Sequence, residues 1–100
     1  MSKSFQVMHA PVISDLHLRT ATHAKISQAG NVFGLHRFVY DRGVFVFACE
    51  ETALQTHAEY EDIPSDLAGC FRWAWGEGFE WIRFDADGDL ISGLSVFAED

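Results

Sequence analysis

Three carboxylates fall within five residues near the end of the sequence, in the stretch FDADGDLI that covers residues 84–91. Clustered carboxylates bind calcium in EF-hand loops and act as general acids and bases in hydrolases. An EF-hand loop starting at Asp85 would need glycine at its sixth position and glutamate at its twelfth, but Leu90 and Val96 stand there. Since Asp87-Gly88 is a preferred centre of a type I′ turn, we expect a tight, solvated hairpin turn.

Histidine and cysteine side chains are the other candidates for metal binding or nucleophilic chemistry. None of the five histidines has the i, i+4 or other close spacing that brings imidazoles onto one metal. Cys49 and Cys70 belong to no CxxC pair, and no cysteine-hydrolase motif surrounds Cys49 or relates it to His57. We therefore predict no metal, no cofactor and no catalytic residue, with both cysteines as reduced, buried thiols.

The charge of the chain is unevenly distributed between its two halves. Residues 1–49 contain two acids and five bases, whereas residues 50–100 contain thirteen acids and two bases, within a net charge of -8. The acidic half would repel nucleic acid, and the phosphate-binding patterns GxGxxG and GxxxxGK[ST] do not occur. An acidic surface instead suits a basic protein partner, and proteins that handle nucleic acid commonly carry such basic surfaces.

Length and composition predict one domain, 1–100, that folds by itself. The chain has 100 residues, of which 48% are hydrophobic and 14% aromatic, far from the composition of disordered segments. The sequence has no apolar run long enough to span a membrane, and MSKSFQVMHAPV lacks the apolar stretch of a secretory signal. We expect a cytoplasmic protein.

Local patterns predict the elements that position these side chains. The segment HRFVYDRGVFVFA, residues 36–48, reads as a buried hairpin with Gly43 at a positive φ. Residues 81–84 and a run from Leu90 read as two more strands joined by the Asp87-Gly88 turn. Phe5–Met8 could begin a strand, the segment from Glu50 to Asp62 reads as a polar connector, and a short helix capped by Thr20 or Thr22 is expected to end at Gly30.

The clearest helix is predicted over residues 65–77, following Pro64. Its apolar stripe has the i, i+3, i+4, i+7 spacing of a helix that lies on a sheet, and consists of Leu67, Cys70, Phe71 and Ala74. At 100° per residue, Trp75 borders this stripe, whereas Trp73 is expected to be exposed. The fold class predicted is α+β: a small two-layer domain, with a mainly antiparallel sheet covered on one face by two helices.

One candidate partner-binding patch follows from the acidic charge and the aromatic side chains near the start of this helix. Exposed aromatic residues among acids suit recognition of a basic protein. The patch consists of Glu59, Tyr60, Glu61, Asp62, Asp66, Trp73 and Glu77. The alternative is a solvated face with Trp73 covered by the N-terminal segment.

Four stretches of the sequence resemble a small bacterial family known as domain of unknown function 5983. They are YDRGVFVF from Tyr40, IPSDLA from Ile63, GFEWIRFDADG from Gly78 and GLSVF from Gly93. Ser95 stands where the family usually has proline in its ending. The resemblance covers residues 36–97 and implies a small accessory protein of the kind carried by plasmids and integrated mobile elements, with no catalytic residue to transfer.

Three hypotheses for function remain at this point. The first is a non-enzymatic protein that uses its acidic half to occupy the nucleic-acid-binding surface of a basic host protein, as an anti-CRISPR or anti-restriction inhibitor would. The second is an enzyme or ligand-binding domain with a pocket beside the hairpin that uses His17, His36 or Cys49. The third is a self-associating module that pairs through Trp73, Trp75 and the aromatic strands.

Overall fold

The computed structural model describes residues 9–48 and 62–97 and contains a four-stranded sheet with two helices. Along the sheet the strands lie in the order β1-β4-β3-β2. They are β1 (Val12–Ser14), β2 (Arg37–Tyr40), β3 (Gly43–Phe47) and β4 (Trp81–Asp85). β1 runs parallel to β4, while β4 with β3 and β3 with β2 are antiparallel. The predicted α+β class is therefore confirmed, with a sheet that is mixed.

Strands β3 and β4 alternate between an inner and an outer face, as the period of two in an extended chain requires. Their inner side chains are fully buried and belong to the hydrophobic core: Val44, Val46, Ile82 and Phe84. The side chains between them point to the opposite face and are largely half-buried: Phe45, Phe47, Trp81 and Arg83. The hairpin predicted over residues 36–48 is confirmed, but it is buried on one face only.

The loop of this hairpin consists of Asp41 and Arg42, since Tyr40 pairs directly with Gly43. Gly43 does not have the positive φ that the sequence pattern suggested. Glycine is needed there because the Phe84 carbonyl of the neighbouring strand occupies the place of a Cβ atom. Close approach of two backbones, rather than turn geometry, is the physical reason for this residue.

The longer helix, α2 (Ser65–Glu77), has the bounds that the sequence predicted. All four residues of the predicted stripe are buried, and the stripe packs on the inner face of the sheet. The helix ends at Gly78, whose φ of 82° places it in the left-handed region that favours glycine. This ending returns the chain sharply toward β4.

Trp73 is half-buried rather than exposed, so that prediction was wrong. The N–H of Gly78 donates to the carbonyl of Trp75, and the N–H of Phe79 donates to that of Ala74. These two bonds make a Schellman motif, in which the residue after the glycine packs back onto the last turn of the helix. The Phe79 ring accordingly lies 6.2 Å from the Trp73 ring and covers it.

The shorter helix, α1 (Thr20–Ile26), exists as predicted but begins differently. Arg19 is its N-cap residue, and its backbone N–H donates to Oδ2 of Asp66 at 2.8 Å. The Thr22 hydroxyl, expected to cap the helix, donates instead to Oδ1 of the same carboxylate at 3.1 Å. Asp66 thus ties the start of α1 to the first turn of α2, a long-range contact that a local capping rule does not reveal.

The end of α1 lies at Ile26, four residues before the predicted stop at Gly30. The guanidinium of Arg37 donates to the carbonyls of Ile26, Gln28 and Gly30. A cation at the end of a helix satisfies carbonyls that lack partners within the helix. A side chain from β2 therefore organises the chain that leaves α1.

The turn after β4 differs from the predicted type I′ hairpin. The Gly88 N–H donates to the Asp85 carbonyl at 3.0 Å, and the Asp87 N–H donates to Oδ1 of Asp85 at 2.8 Å. Gly88 occupies the last position of the turn and does not have a positive φ. Glycine is required there because the Ile13 backbone leaves no room for a Cβ atom. After the turn, Asp89 forms a parallel bridge with Ile13 on the edge of β1, so the strand predicted from Leu90 does not form.

Several predicted features lie outside the described residues: the strand at Phe5–Met8, the connector from Glu50 to Asp62 except for Asp62 itself, and the thiol of Cys49. Within residues 9–48 and 62–97, no helix is long and apolar enough to cross a membrane.

Candidate functional site: the aromatic face of the sheet

The outer face of the sheet carries five aromatic rings and one arginine. This aromatic face is formed by Phe38, Tyr40, Phe45, Phe47, Trp81 and Arg83. Both helices pack on the inner face, and none of the five rings belongs to the core cluster of the described residues. Phe38 is 61% exposed, and the other five side chains are half-buried.

The rings contact one another in two groups. Trp81 lies between Phe38 and Phe47, with ring centres 5.8 Å and 5.2 Å away. Tyr40 and Phe45 form the second group at 5.4 Å. Such ring pairs favour offset and edge-to-face arrangements, which fix the orientation of each ring. The aromatic face is therefore an ordered surface, with its most exposed ring at the β2 edge.

Arg83 connects the second group of rings to a carboxylate. Its guanidinium carbon lies 5.0 Å from the centre of the Tyr40 ring and 5.6 Å from that of Phe45. Its Nε donates to the Tyr40 hydroxyl at 2.6 Å, and that hydroxyl donates to Oδ2 of Asp85 at 2.6 Å. Nη2 of Arg83 reaches the same oxygen at 3.2 Å. The guanidinium, the phenol and the buried carboxylate thus provide hydrogen-bond partners for one another on the aromatic face.

This network changes the protonation behaviour of its members. The hydrogen bond from the Tyr40 hydroxyl, followed by that from Arg83, lowers the pKa of the Asp85 carboxyl. Burial, together with the hydrogen bond to Asp85, raises the pKa of Tyr40 above its ordinary value. Asp85 therefore stays ionised and Tyr40 stays protonated near neutral pH, which suits a fixed structural network.

A second candidate site is a cleft of about 290 Å³ between the start of α2 and residues 93–97. His17 lines this cleft and is buried. Its Nε2 accepts the Ile91 N–H at 2.8 Å, so the ring proton lies on Nδ1 and is donated to the Ser95 carbonyl at 2.8 Å. Both nitrogens therefore hold the C-terminal segment in place.

Cys70 lines the same cleft, and burial raises the pKa of its thiol to about 12. A thiol with such a pKa has almost no thiolate at neutral pH and is a poor nucleophile. The prediction of a buried, reduced thiol is confirmed for this cysteine. Among the described residues, no three His, Cys, Asp or Glu side chains are grouped so that they could hold a metal ion.

The two histidines of the enzyme hypothesis are not brought together, and its cysteine, Cys49, lies outside the described residues. His17 lies in the cleft beside α2, whereas the His36 ring lies 6.1 Å from that of Phe47, at the margin of the aromatic face. The cleft thus lies at the start of α2.

The predicted acidic patch is divided between different environments. Asp62 and Glu77 are exposed but lie beyond the start and at the end of α2, a helix about 20 Å long at 1.5 Å per residue. Asp66 is half-buried and bonded to α1, and Trp73 is covered by Phe79. Three further members of the patch lie outside the described residues: Glu59, Tyr60 and Glu61.

Comparison with known proteins assigns the chain to one family. A family described as "Family of unknown function (DUF5983) C-terminal domain" matches residues 10–99. The chain belongs to DUF5983. The match begins well before the resemblance at residues 36–97 and includes β1 and α1. No curated protein and no solved structure matches this DUF5983 chain.

Sequence reasoning missed the aromatic face, although part of the signal was present. In VFVF of β3 the two phenylalanines are spaced by two residues, and in WIRF of β4 Trp81 and Arg83 have the same spacing. The register pairs Phe45 with Arg83 and Phe47 with Trp81, which places all four on one face. Interpreting the hairpin over residues 36–48 as buried concealed this second surface.

Proposed function

We propose that this DUF5983 chain is a non-enzymatic protein-binding domain whose partner docks on the aromatic face. The observation that carries the proposal is an ordered set of five rings on the sheet face opposite the helices, with Phe38 61% exposed. The centres of protein interfaces are enriched in aromatic residues and arginine, which supply most of the binding energy.

The candidate catalytic side chains among the described residues give weaker support for an enzyme. Each nitrogen of His17 is engaged by the backbone, and burial raises the pKa of the Cys70 thiol to about 12. The Asp85 carboxylate accepts hydrogen bonds from Tyr40, from Arg83 and from a backbone N–H. These groups have the bonding pattern of structural residues and lack a free proton acceptor.

For the partner we propose a basic protein that handles nucleic acid, whose nucleic-acid-binding surface this chain occupies as an anti-defence inhibitor would. The net charge of -8 supports such a partner, because opposite charges accelerate and orient association. Asp41 and Glu80 are exposed at the ends of the strands that form the aromatic face. Rings at the centre with an acid at either end suit a surface that combines apolar and basic side chains.

The test is an affinity capture from host lysate with the tagged protein and two matched variants. Phe38 and Leu90 are 61% and 62% exposed, so neither alanine substitution disturbs the core. We expect Phe38→Ala to weaken capture of the partner at least tenfold, and Leu90→Ala to leave it unchanged. Equal capture by both variants would contradict docking on the aromatic face.

The charge of the partner is tested separately. Capture at about 50 mM salt should fall steeply at about 300 mM, because added salt shortens the screening length between exposed charges. The captured protein should then lose its nucleic acid when this chain is added in excess. A partner that binds nucleic acid and this chain simultaneously would contradict the inhibitory mechanism.

A further inference from the structure

The two edges of the sheet differ in their backbone groups. On the β1 edge, the Ser14 N–H donates to the Asp89 carbonyl at 2.8 Å and the Asp89 N–H donates to the Val12 carbonyl at 3.2 Å. The turn after β4 thus occupies this edge. β2, at the other end of the strand order, pairs with β3 alone among the described strands.

The register of the hairpin shows which groups of β2 face outward. The Phe47 N–H donates to the His36 carbonyl, so these two residues form a hydrogen-bonded pair. Hydrogen-bonded and non-hydrogen-bonded pairs alternate along an antiparallel ladder, so Phe38 and Tyr40 also bond to β3. Arg37 and Val39 consequently direct their N–H and C=O groups away from the sheet.

The side chains at this edge are unusually apolar. Phe38 is 61% exposed on the aromatic face, and Val39 is 52% exposed on the other side of the strand. Proteins usually protect an edge strand with charged side chains, proline or a bulge; β2 has the sequence RFVY, and its one charged side chain, Arg37, is bonded to the carbonyls that follow α1. An edge of this kind is complementary to another extended strand.

We propose that a second copy of this chain pairs with this edge, antiparallel and about a two-fold axis through Phe38. In this register Arg37 of each copy exchanges two backbone hydrogen bonds with Val39 of the other. Phe38 then faces Phe38 of the second copy as a non-hydrogen-bonded pair. Because each strand presents the same two outward residues on either side of Phe38, a two-fold pairing satisfies every outward group of both strands.

The side chains are compatible with this register. Across the junction His36 faces Tyr40 of the second copy, and the aliphatic part of Arg37 faces Val39, so no like charges are opposed. The two sheets become one, and the two aromatic faces form a continuous surface. This inference goes beyond the proposed function, because it concerns the backbone edge of β2, which shares only Phe38 with the face on which the partner docks.

Sedimentation velocity from about 10 µM to about 1 mM tests the pairing with two matched lysine variants. Val39→Lys places a lysine opposite Arg37 of the second copy, whereas Leu90→Lys adds the same charge at a residue of similar exposure beside the other edge. We expect a dimer for the wild type and for Leu90→Lys, and a monomer for Val39→Lys. A wild-type protein that is monomeric throughout this range would overturn the proposal.

A disulfide test checks the register directly. Opposed residues of a non-hydrogen-bonded pair have Cα atoms about 4.5 Å apart, which is within the range of a disulfide. In a Cys49→Ser background, Phe38→Cys should form an interchain disulfide under mild oxidation, and Leu90→Cys should form at least tenfold less. Equal cross-linking of the two variants would contradict the two-fold pairing.

The outcomes separate this inference from the proposed function. Val39 lies outside the aromatic face, so Val39→Lys should abolish the dimer and still capture the partner. A Val39→Lys chain that loses the dimer and still captures the partner supports the edge pairing and leaves the docking face intact. A Phe38→Ala chain that still dimerises but no longer captures the partner supports the docking face.

Discussion

The hydroxyl of Tyr40 lies between Arg83 and Asp85, accepting from Nε of the arginine and donating to Oδ2 of the aspartate, with 2.6 Å for each hydrogen bond. The three residues come from β2 and β4, which are separated by β3 in the sheet. Their network therefore spans three strands and fixes the orientation of the ring and the guanidinium on the aromatic face.

Removing the hydroxyl should loosen this network without changing the shape of the face. We expect Tyr40→Phe to lower the free energy of unfolding by about 1 kcal/mol, because the carboxylate and the guanidinium each lose a partner. Urea denaturation measures the change. A variant as stable as the wild type would show that water replaces the hydroxyl at no cost.

Low pH should reduce the stability of the fold partly by protonating Asp85. Its pKa is lowered in the folded protein, so its contribution to stability is complete above the unfolded pKa of about 3.9 and is lost as the pH falls through the folded pKa. The urea midpoint of the wild type should exceed that of Asp85→Asn at pH 7, and the difference should shrink below about pH 4. A difference independent of pH would contradict this role.

The Cys70 thiol should be unreactive in the folded protein. Raising its pKa from 9.0 to about 12 reduces the thiolate fraction roughly a thousandfold at pH 8. In a Cys49→Ser variant, where Cys70 is the remaining cysteine, a thiol reagent should react in urea and hardly at all in buffer. Rapid reaction of the folded protein would show that the thiol is accessible.

Two glycine-to-alanine substitutions should have opposite effects. A Cβ atom at Gly88 would overlap the backbone of Ile13 on β1, so Gly88→Ala should destabilise the fold by about 1–3 kcal/mol. A Cβ atom at Gly76, near the end of α2, meets nothing within 4 Å, so Gly76→Ala should stabilise the fold by about 0.5–1 kcal/mol. Thermal unfolding of the two variants provides the comparison, and a stable Gly88→Ala would contradict the close approach.

The imidazole of His17 should hold the C-terminal segment against the cleft. In His17→Phe the Ile91 N–H and the Ser95 carbonyl lose their partners, and amide exchange at Ile91 should accelerate at least tenfold. The Leu35 amide, bonded to the Val32 carbonyl, serves as a control in the same spectrum. Acceleration equal at both amides would indicate general destabilisation instead of local release.

Local sequence patterns predicted the elements whose stability is local. The hairpin follows from two runs of aromatic and β-branched residues around Asp41-Arg42-Gly43, and the bounds of α2 follow from Pro64 and Gly78. In both cases the residues that decide the structure are close in sequence. The hairpin and the helix that packs on it could therefore be predicted from the sequence.

Features that depend on distant contacts were not predictable in the same way. Asp66 binds the start of α1, and Gly88 is required by Ile13 on another strand. The turn itself could be predicted from the sequence, since Asp85 at the first position and Gly88 at the fourth suit a type I turn. Only the position of β1 explains why the chain does not return alongside β4.

The aromatic face as the docking surface is tested most directly by hydroxyl-radical footprinting of the captured complex and of the free protein. The account predicts that oxidation of Phe38 and Trp81 falls at least fivefold in the complex, while oxidation of the equally exposed Leu90 is unchanged. Protection of Leu90 or of the cleft around His17, with Phe38 oxidised as in the free protein, would contradict it.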